Sequence, residues 1–187
     1  LLAHAEHTQL VLGFLVGLRR FGPQHGVMLT TWDHVLCVET FPDHQREHGM
    51  HRAVPDAMGR VQWPDGAMIS FWLEVDRGTV QGHALTQKLT RYYAVSGLQR
   101  GIRARAPRIL VVVAPGDEAR LLKLRRRIRD LDERYRVRLD VRLTRADLLG
   151  VGRGGLDPLR SVWRTAHASE FISPFDAVEE NRAIPAE

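Results

Sequence analysis

Residues 54–76 read VPDAMGRVQWPDGAMISFWLEVD, and the Pro64-Asp65-Gly66 at their centre decides how the two halves meet. Pro and Asp suit the two central positions of a type I turn, and Gly the left-handed bulge position that follows; together they make a three-residue hairpin loop. Val54–Trp63 and Ala67–Asp76 are then antiparallel strands. Trp63 pairs with Ala67, and counting back in register sets Asp56 opposite Glu74. Alternate residues of a strand share a face. Ile69, Phe71, Leu73 and Val75 therefore line one side as core, and Ser70, Trp72, Glu74 and Asp76 line the other. Glu74 and Asp76 stand about 7 Å apart at the strand rise of ~3.3 Å per residue. Directly opposed Cβ atoms lie about 5 Å apart, so Asp56 and Glu74 repel one another. A divalent cation between them offsets that repulsion. A two-residue loop would slip the register by one and part the two acids.

Working outward, His4–Arg20 carries Leu10, Phe14, Leu15 and Leu18 at helical spacing, and Gly22-Pro23 ends that helix. Val27–Phe41 favours a strand centred on Val35, Leu36, Cys37 and Val38, and Pro42–His51 reads as a polar, histidine-rich loop. After the hairpin, Thr79 reads as the N-cap of a helix running to about Leu98. Arg108–Ala114 is a β-branched run of the fully buried type. Asp117–Arg134 is a charged helix with an apolar stripe at Leu121, Leu124, Ile128 and Leu131; Val137–Leu143 alternates as a half-buried strand, and Thr144 caps a last short helix. The fold class is α/β, a mixed central sheet flanked by helices. Residues 1–150 form the domain and 151–187 a partly irregular C-terminal extension. The chain begins on Leu1 already in helical pattern, so an upstream segment is expected.

The chain has 187 residues, 44% hydrophobic and 26% charged, which excludes disorder and collagen-like repeats. The longest apolar run near the start, Leu10–Leu18, is short of the roughly 20 residues of a membrane span. Arg19 and Arg20 follow that run instead of preceding it, so neither a membrane partner nor a signal peptide is expected. The one cysteine, Cys37, makes no internal disulfide, consistent with a reducing, cytoplasmic setting. Lys and Arg number 27 against 22 Asp and Glu, a net charge of +5 that suits a polyanionic partner. Only Lys88 and Lys123 of those cations are lysines. Lys88 and Tyr92, four apart, share one face of the helix after the hairpin. Lys88 reads either as a solvated helix lysine or as a compact ammonium serving the acids.

Pro55-Asp56 followed by Glu74-Val75-Asp76 on the adjacent strand, in a helix–strand–strand–strand–helix–strand order, resembles the restriction-endonuclease-like core of the PD-(D/E)XK nuclease superfamily. More narrowly, Phe71-Trp72-Leu73-Glu74-Val75-Asp76-Arg77-Gly78-Thr79 with Lys88-Leu89-Thr90-Arg91-Tyr92 resembles the replication-relaxation proteins of bacterial plasmids and mobile elements. His7, Leu10 and Trp32 fit the same pattern, and the resemblance covers residues 4–114. It implies a DNA-processing domain, with Asp56 and Glu74 as metal-binding acids and Asp76 joining them directly or through water. The superfamily's usual lysine, two residues after the second acid, is Asp76 here; branches that carry it on the next helix match Lys88 and Tyr92. Implied roles are a Mg²⁺ or Mn²⁺ cofactor, Lys88 steadying the attacking hydroxide, and Tyr92 orienting a phosphate oxygen. DNA is the implied partner, with other replication or mobilisation proteins and a homodimer as further assemblies.

Further signals surround that site. Arg100, Arg103, Arg105 and Arg108 crowd the loop after the second helix, where they suit DNA phosphates. Arg120, Lys123, Arg125, Arg126, Arg127 and Arg129 load the next helix, interrupted by acids, as on a solvated face. Trp72 lies on the carboxylate face, where it would stack on a base. His44, His48 and His51 read as a polar loop or a zinc site. The residues therefore allow a metal-dependent DNA endonuclease, an inactive nuclease-like module binding DNA or protein, or a partner-binding domain whose acids form surface ion pairs.

Overall fold

The Pro-Asp-Gly loop closes as its residue types require. Gly66 has φ of 87°, its N–H donates to the Trp63 carbonyl at 3.0 Å, and the Trp63 N–H donates to the Ala67 carbonyl at 2.9 Å. The computed structural model describes residues 2–34, 37–43, 49–77, 83–98, 106–150 and 155–176. The strands on either side of the loop are β4 (Ala57–Gln62) and β5 (Met68–Asp76). They pair from Gln62 with Met68 to Ala57 with Leu73, the register of the three-residue loop.

Before them come helix α1 (Leu2–Phe21), a 3-10 turn (Gly22–His25) and β1 (Met28–Asp33). The single strand expected over Val27–Phe41 is broken. β1 ends at Asp33, whose carbonyl accepts from the Cys37 thiol at 3.0 Å. Residues Glu39–Asp43 (β2) and Gly49–Ala53 (β3) then pair antiparallel as a separate two-stranded sheet, so that Pro42, Asp43 and residues 49–51 of the expected loop lie in strands. Val35, Leu36, His44 and His48 lie outside the described residues, as does Thr79, the expected cap.

After the β4–β5 hairpin follow α2 (His83–Leu98), β6 (Arg108–Val113), α3 (Glu118–Tyr135), β7 (Val141–Arg145), a 3-10 turn (Ala146–Leu149) and β8 (Arg164–Thr165). Asp117 caps α3 by accepting from the Arg120 N–H at 2.9 Å. The six-stranded sheet runs β1-β4-β5-β6-β7-β8. Its β5–β6 and β6–β7 pairs are parallel and the others antiparallel, which makes it the mixed sheet expected.

Alternation along β5 divides two cores. Phe71, Leu73 and Val75 join α1 residues Val11, Phe14 and Leu18, together with Leu156, Leu159, Trp163 and Phe175. On the other face Trp72 joins Leu89, Tyr92 and Tyr93 of α2 and the four-residue stripe of α3. α1 meets the C-terminal segment through a notch at its glycines. A Cβ on Gly17 would stand 2.2 Å from the Leu156 carbonyl oxygen and 2.6 Å from Pro158 Cδ.

β7 starts later than the alternation suggested and is buried along Val141–Thr144 instead of half-buried. Its Arg142 is accommodated because the carbonyls of Ser173 and Asp176 and the Asp140 carboxylate accept from it. Thr144 caps nothing. It sits within β7, its hydroxyl donating to the Val162 carbonyl at 2.9 Å.

Candidate acid–lysine site

Asp56 is held one residue before β4. Its backbone N–H donates to the Leu73 carbonyl at 3.0 Å, and its Oδ2 accepts from the Val75 N–H at 2.8 Å. Both bonds reach β5 on either side of Glu74, so the hairpin register itself brings the two carboxylates together. From α2, Lys88 Nζ donates to Asp56 Oδ1 at 2.7 Å and to Glu74 Oε2 at 2.8 Å. One turn on, the Tyr92 hydroxyl donates to Glu74 Oε1. From α1, His7 Nε2 stands 3.7 Å from Asp56 Oδ2. The repulsion read from the sequence is real, and an ammonium offsets it. Lys88 is no solvated helix lysine.

Burial is graded across the cluster, from 28% exposure at the Lys88 side chain to 2% at Glu74. Burial first, and the Asp56 charge second, push the Glu74 carboxyl up from 4.5 to about 8, against the pull of the two donors Lys88 and Tyr92. Burial works against the Lys88 charge, but Glu74 and Asp56 outweigh it and its pKa is raised. Burial and Glu74 push the Tyr92 phenol far up, so it stays a donor. Burial and Asp33 push the Cys37 thiol up to about 11, which makes it inert.

Because Glu74 binds its proton more tightly folded than unfolded, the fold gains protons between pH 4.5 and about 8. This contribution to stability is full below pH 4.5 and is lost as pH rises through about 8. Urea midpoints at pH 5 and pH 8.5 should therefore fall with pH in the wild-type chain, and the fall should be shallower in Glu74→Gln. Equal falls in the two proteins would contradict the assignment.

The other expected site residues separate. Asp76 faces the same side as Glu74, but Arg120 of α3 holds its Oδ2 at 2.6 Å. Among the described residues no group of three or more His, Cys, Asp or Glu is arranged to hold a metal ion. Tyr92 does not reach outward to a phosphate, since its hydroxyl is spent on Glu74 inside the core. Trp72 does not offer a face for a base. It is 3% exposed, with its ring 4.7 Å from that of Tyr92. Arg108 is not a DNA contact either. It is 2% exposed, paired with Asp140 and donating to the carbonyls of Pro174 and Asp176. Arg100, Arg103 and Arg105 lie outside the described residues, as does the side chain of His51.

The sequence reading put Arg120 on a solvated face, whereas it is 12% exposed and paired with Asp76. The usable signal was the order strand–helix–strand, which sets the first turn of α3 above the carboxyl ends of the parallel strands where Asp76 lies. Among the described residues no helix is long and apolar enough to cross a membrane. Comparison with curated proteins and with solved structures returns no match. The family model described as replication-relaxation matches residues 3–109, which is more than half of the chain and includes His7, Asp56, Glu74, Lys88 and Tyr92. The chain belongs to the replication-relaxation family.

Proposed function

We propose that this is a DNA-processing domain acting in plasmid or mobile-element replication, with a PD-(D/E)XK-like core whose acid–lysine cluster cleaves phosphodiesters with Mg²⁺ or Mn²⁺. The observation that carries the reading is the single ammonium of Lys88 seated between Asp56 Oδ1 and Glu74 Oε2. The strand order supports it: β1, β4 and β5 run antiparallel in sequence, and β6 follows parallel to β5 through α2.

The donor set fits a hard ion. Two carboxylate oxygens already converge on one cation, and Mg²⁺ takes one or two carboxylates while keeping several waters. Asp56 and Glu74 would hold it once Lys88 withdraws. A bound divalent ion supplies an activated water and neutralises charge on the phosphate. Lys88, released from the acids, is the cation left to face the attacking hydroxide or the phosphate oxygens. Tyr92 fixes the Glu74 carboxylate from behind, and Val75 N–H fixes Asp56, so both acids stay aimed. His7 lines the open side next to Asp56.

A second reading, a non-catalytic module that binds DNA or protein, is favoured by one observation: Glu74 is almost wholly buried behind Lys88. Supercoiled, linear and single-stranded DNA incubated with Mg²⁺ or Mn²⁺ separates the two. Cleavage that falls by about 100-fold or more in Asp56→Ala supports the nuclease reading. Salt-sensitive DNA binding with no cleavage supports the module, and cleavage undiminished in Asp56→Ala overturns the site.

A further inference from the structure

The carboxyl ends of β5, β6 and β7 form one edge of the sheet. Asp76 pairs with Val113, and Val113 with Arg145, so these three residues lie in a row. At ~4.8 Å per strand, Arg145 stands about 10 Å along this edge from Asp76. It is on the same face as Glu74, because Val141 and Leu143, at alternate positions of β7, pack in the core with Trp72.

Glu118 joins Arg145 to Arg164 of β8, and Arg125 of α3 feels the charges of Arg164 and Arg129. Glu118 accepts from Arg145 at 3.1 Å and from Arg164 at 3.2 Å, and Asp147 accepts from Arg145 at 3.1 Å. Among the described residues Arg125 and Arg129 donate to carbonyls, those of Ala168 at 2.8 Å and Ala166 at 3.2 Å. Arg145 and Arg164 thus share the Glu118 carboxylate, and the Arg164 and Glu118 charges both act on Arg125. The Nε atoms of Arg125, Arg145 and Arg164 are buried with no hydrogen-bond partner among the described residues. Burial, then the charges of Arg164 and Arg129, lower the Arg125 pKa. The Arg164 guanidinium carbon stands over the Phe171 ring, 4.1 Å from its centroid. Tying the C-terminal segment to α3 needs the carbonyl bonds alone; it does not call for neighbouring cations with unused donors.

We infer that Arg125, Arg145 and Arg164 form a phosphate-binding site for the backbone of DNA, on the same sheet edge as the acid–lysine cluster. This rests on the DNA-processing reading and adds where the strand runs: from the acid–lysine cluster past Asp76, and then about 10 Å, or roughly three nucleotides of axial rise at 3.4 Å each, on to Arg145. Rigid, forked guanidinium groups suit the oxygens of a phosphodiester. Glu118 is the internal anion that the phosphate displaces.

The test is fluorescence anisotropy of labelled duplex and single-stranded oligonucleotides with the full 187-residue chain, in EDTA, across a salt series. In Arg125→Gln/Arg164→Gln, affinity should fall about 10-fold near 0.1 M salt, and the slope of log K against log salt should shrink by about 2, one for each lost phosphate contact. Glu118→Gln should bind about 3-fold more tightly, an effect that a purely structural role would not produce. If the double variant fails to fold, Arg125→Gln alone should lose about 1 from the slope. Equal slopes, or weaker binding by Glu118→Gln, overturn the proposal. If the wild-type chain still binds and cleaves DNA in that case, only this surface fails; a wild-type chain that neither binds nor cleaves removes the DNA-processing reading as well.

Discussion

Lys88→Met is expected to lower stability by about 3 kcal/mol and to cut metal-dependent cleavage by about 100-fold or more. The side chain keeps its length and loses its ammonium, so Asp56 and Glu74 are left facing each other with Glu74 almost fully buried. Removing one partner of a buried pair costs about 3–5 kcal/mol, and the lower end applies because Lys88 itself is 28% exposed. For a chain of this size the loss should appear as a drop in Tm of roughly 6–12 °C. The deficit should be larger at pH 8.5 than at pH 6, because protonation of Glu74 relieves the repulsion at the lower pH. Mg²⁺ or Mn²⁺ should raise the Tm of Lys88→Met more than that of the wild-type chain, since an ion then replaces the missing charge without competition. Cleavage should not return with stability, because the ion restores the charge between the acids but not the ammonium beside the phosphate. A variant as stable as wild type at pH 8.5 without metal would remove the central role given to this side chain.

Gly17→Ala should cost about 3 kcal/mol, the reverse of its effect in an isolated helix, where Ala gains about 1 kcal/mol over Gly. The new methyl group meets the Leu156 carbonyl oxygen at 2.2 Å and Pro158 Cδ at 2.6 Å, atoms of the chain path that cannot swing aside. Gly13→Ala is the control. Its nearest neighbour is Leu156 Cδ1 at 2.8 Å, the tip of a side chain that can change rotamer. This variant should therefore stay within about 1 kcal/mol of wild type. Urea midpoints of the two variants decide the matter; equal losses would mean that the notch is not a tight seat.

The features readable from sequence were those with local chemistry or a clear period. Pro64-Asp65-Gly66 fixed a loop length and hence a register. Strand alternation separated Phe71, Leu73 and Val75 from Trp72, and Leu121, Leu124, Ile128 and Leu131 marked the buried face of α3. Lys88 was legible as a candidate from its rarity and its spacing to Tyr92. That it would itself lie between the acids was not, because helix spacing carries no information on how far α2 stands from the sheet. Arg108 misled for a related reason. A cation at the start of a buried strand looks like a surface residue until Asp140 and carbonyls more than 60 residues away are brought to it by folding. The end of β1 at Asp33 was hidden because Val35, Leu36, Cys37 and Val38 have the composition of a strand interior, while the Cys37 thiol bonds back to the Asp33 carbonyl.

The seat on α1 has a consequence for biosynthesis. The Leu156–Pro158 segment that fills the notch at Gly13 and Gly17 leaves the ribosome roughly 140 residues after them. The flank of Phe14 and Leu18 therefore waits, greasy and half-dressed, until that segment emerges. Closure over such a sequence distance is slow, and the nascent polypeptide is a natural client for holding chaperones throughout that interval.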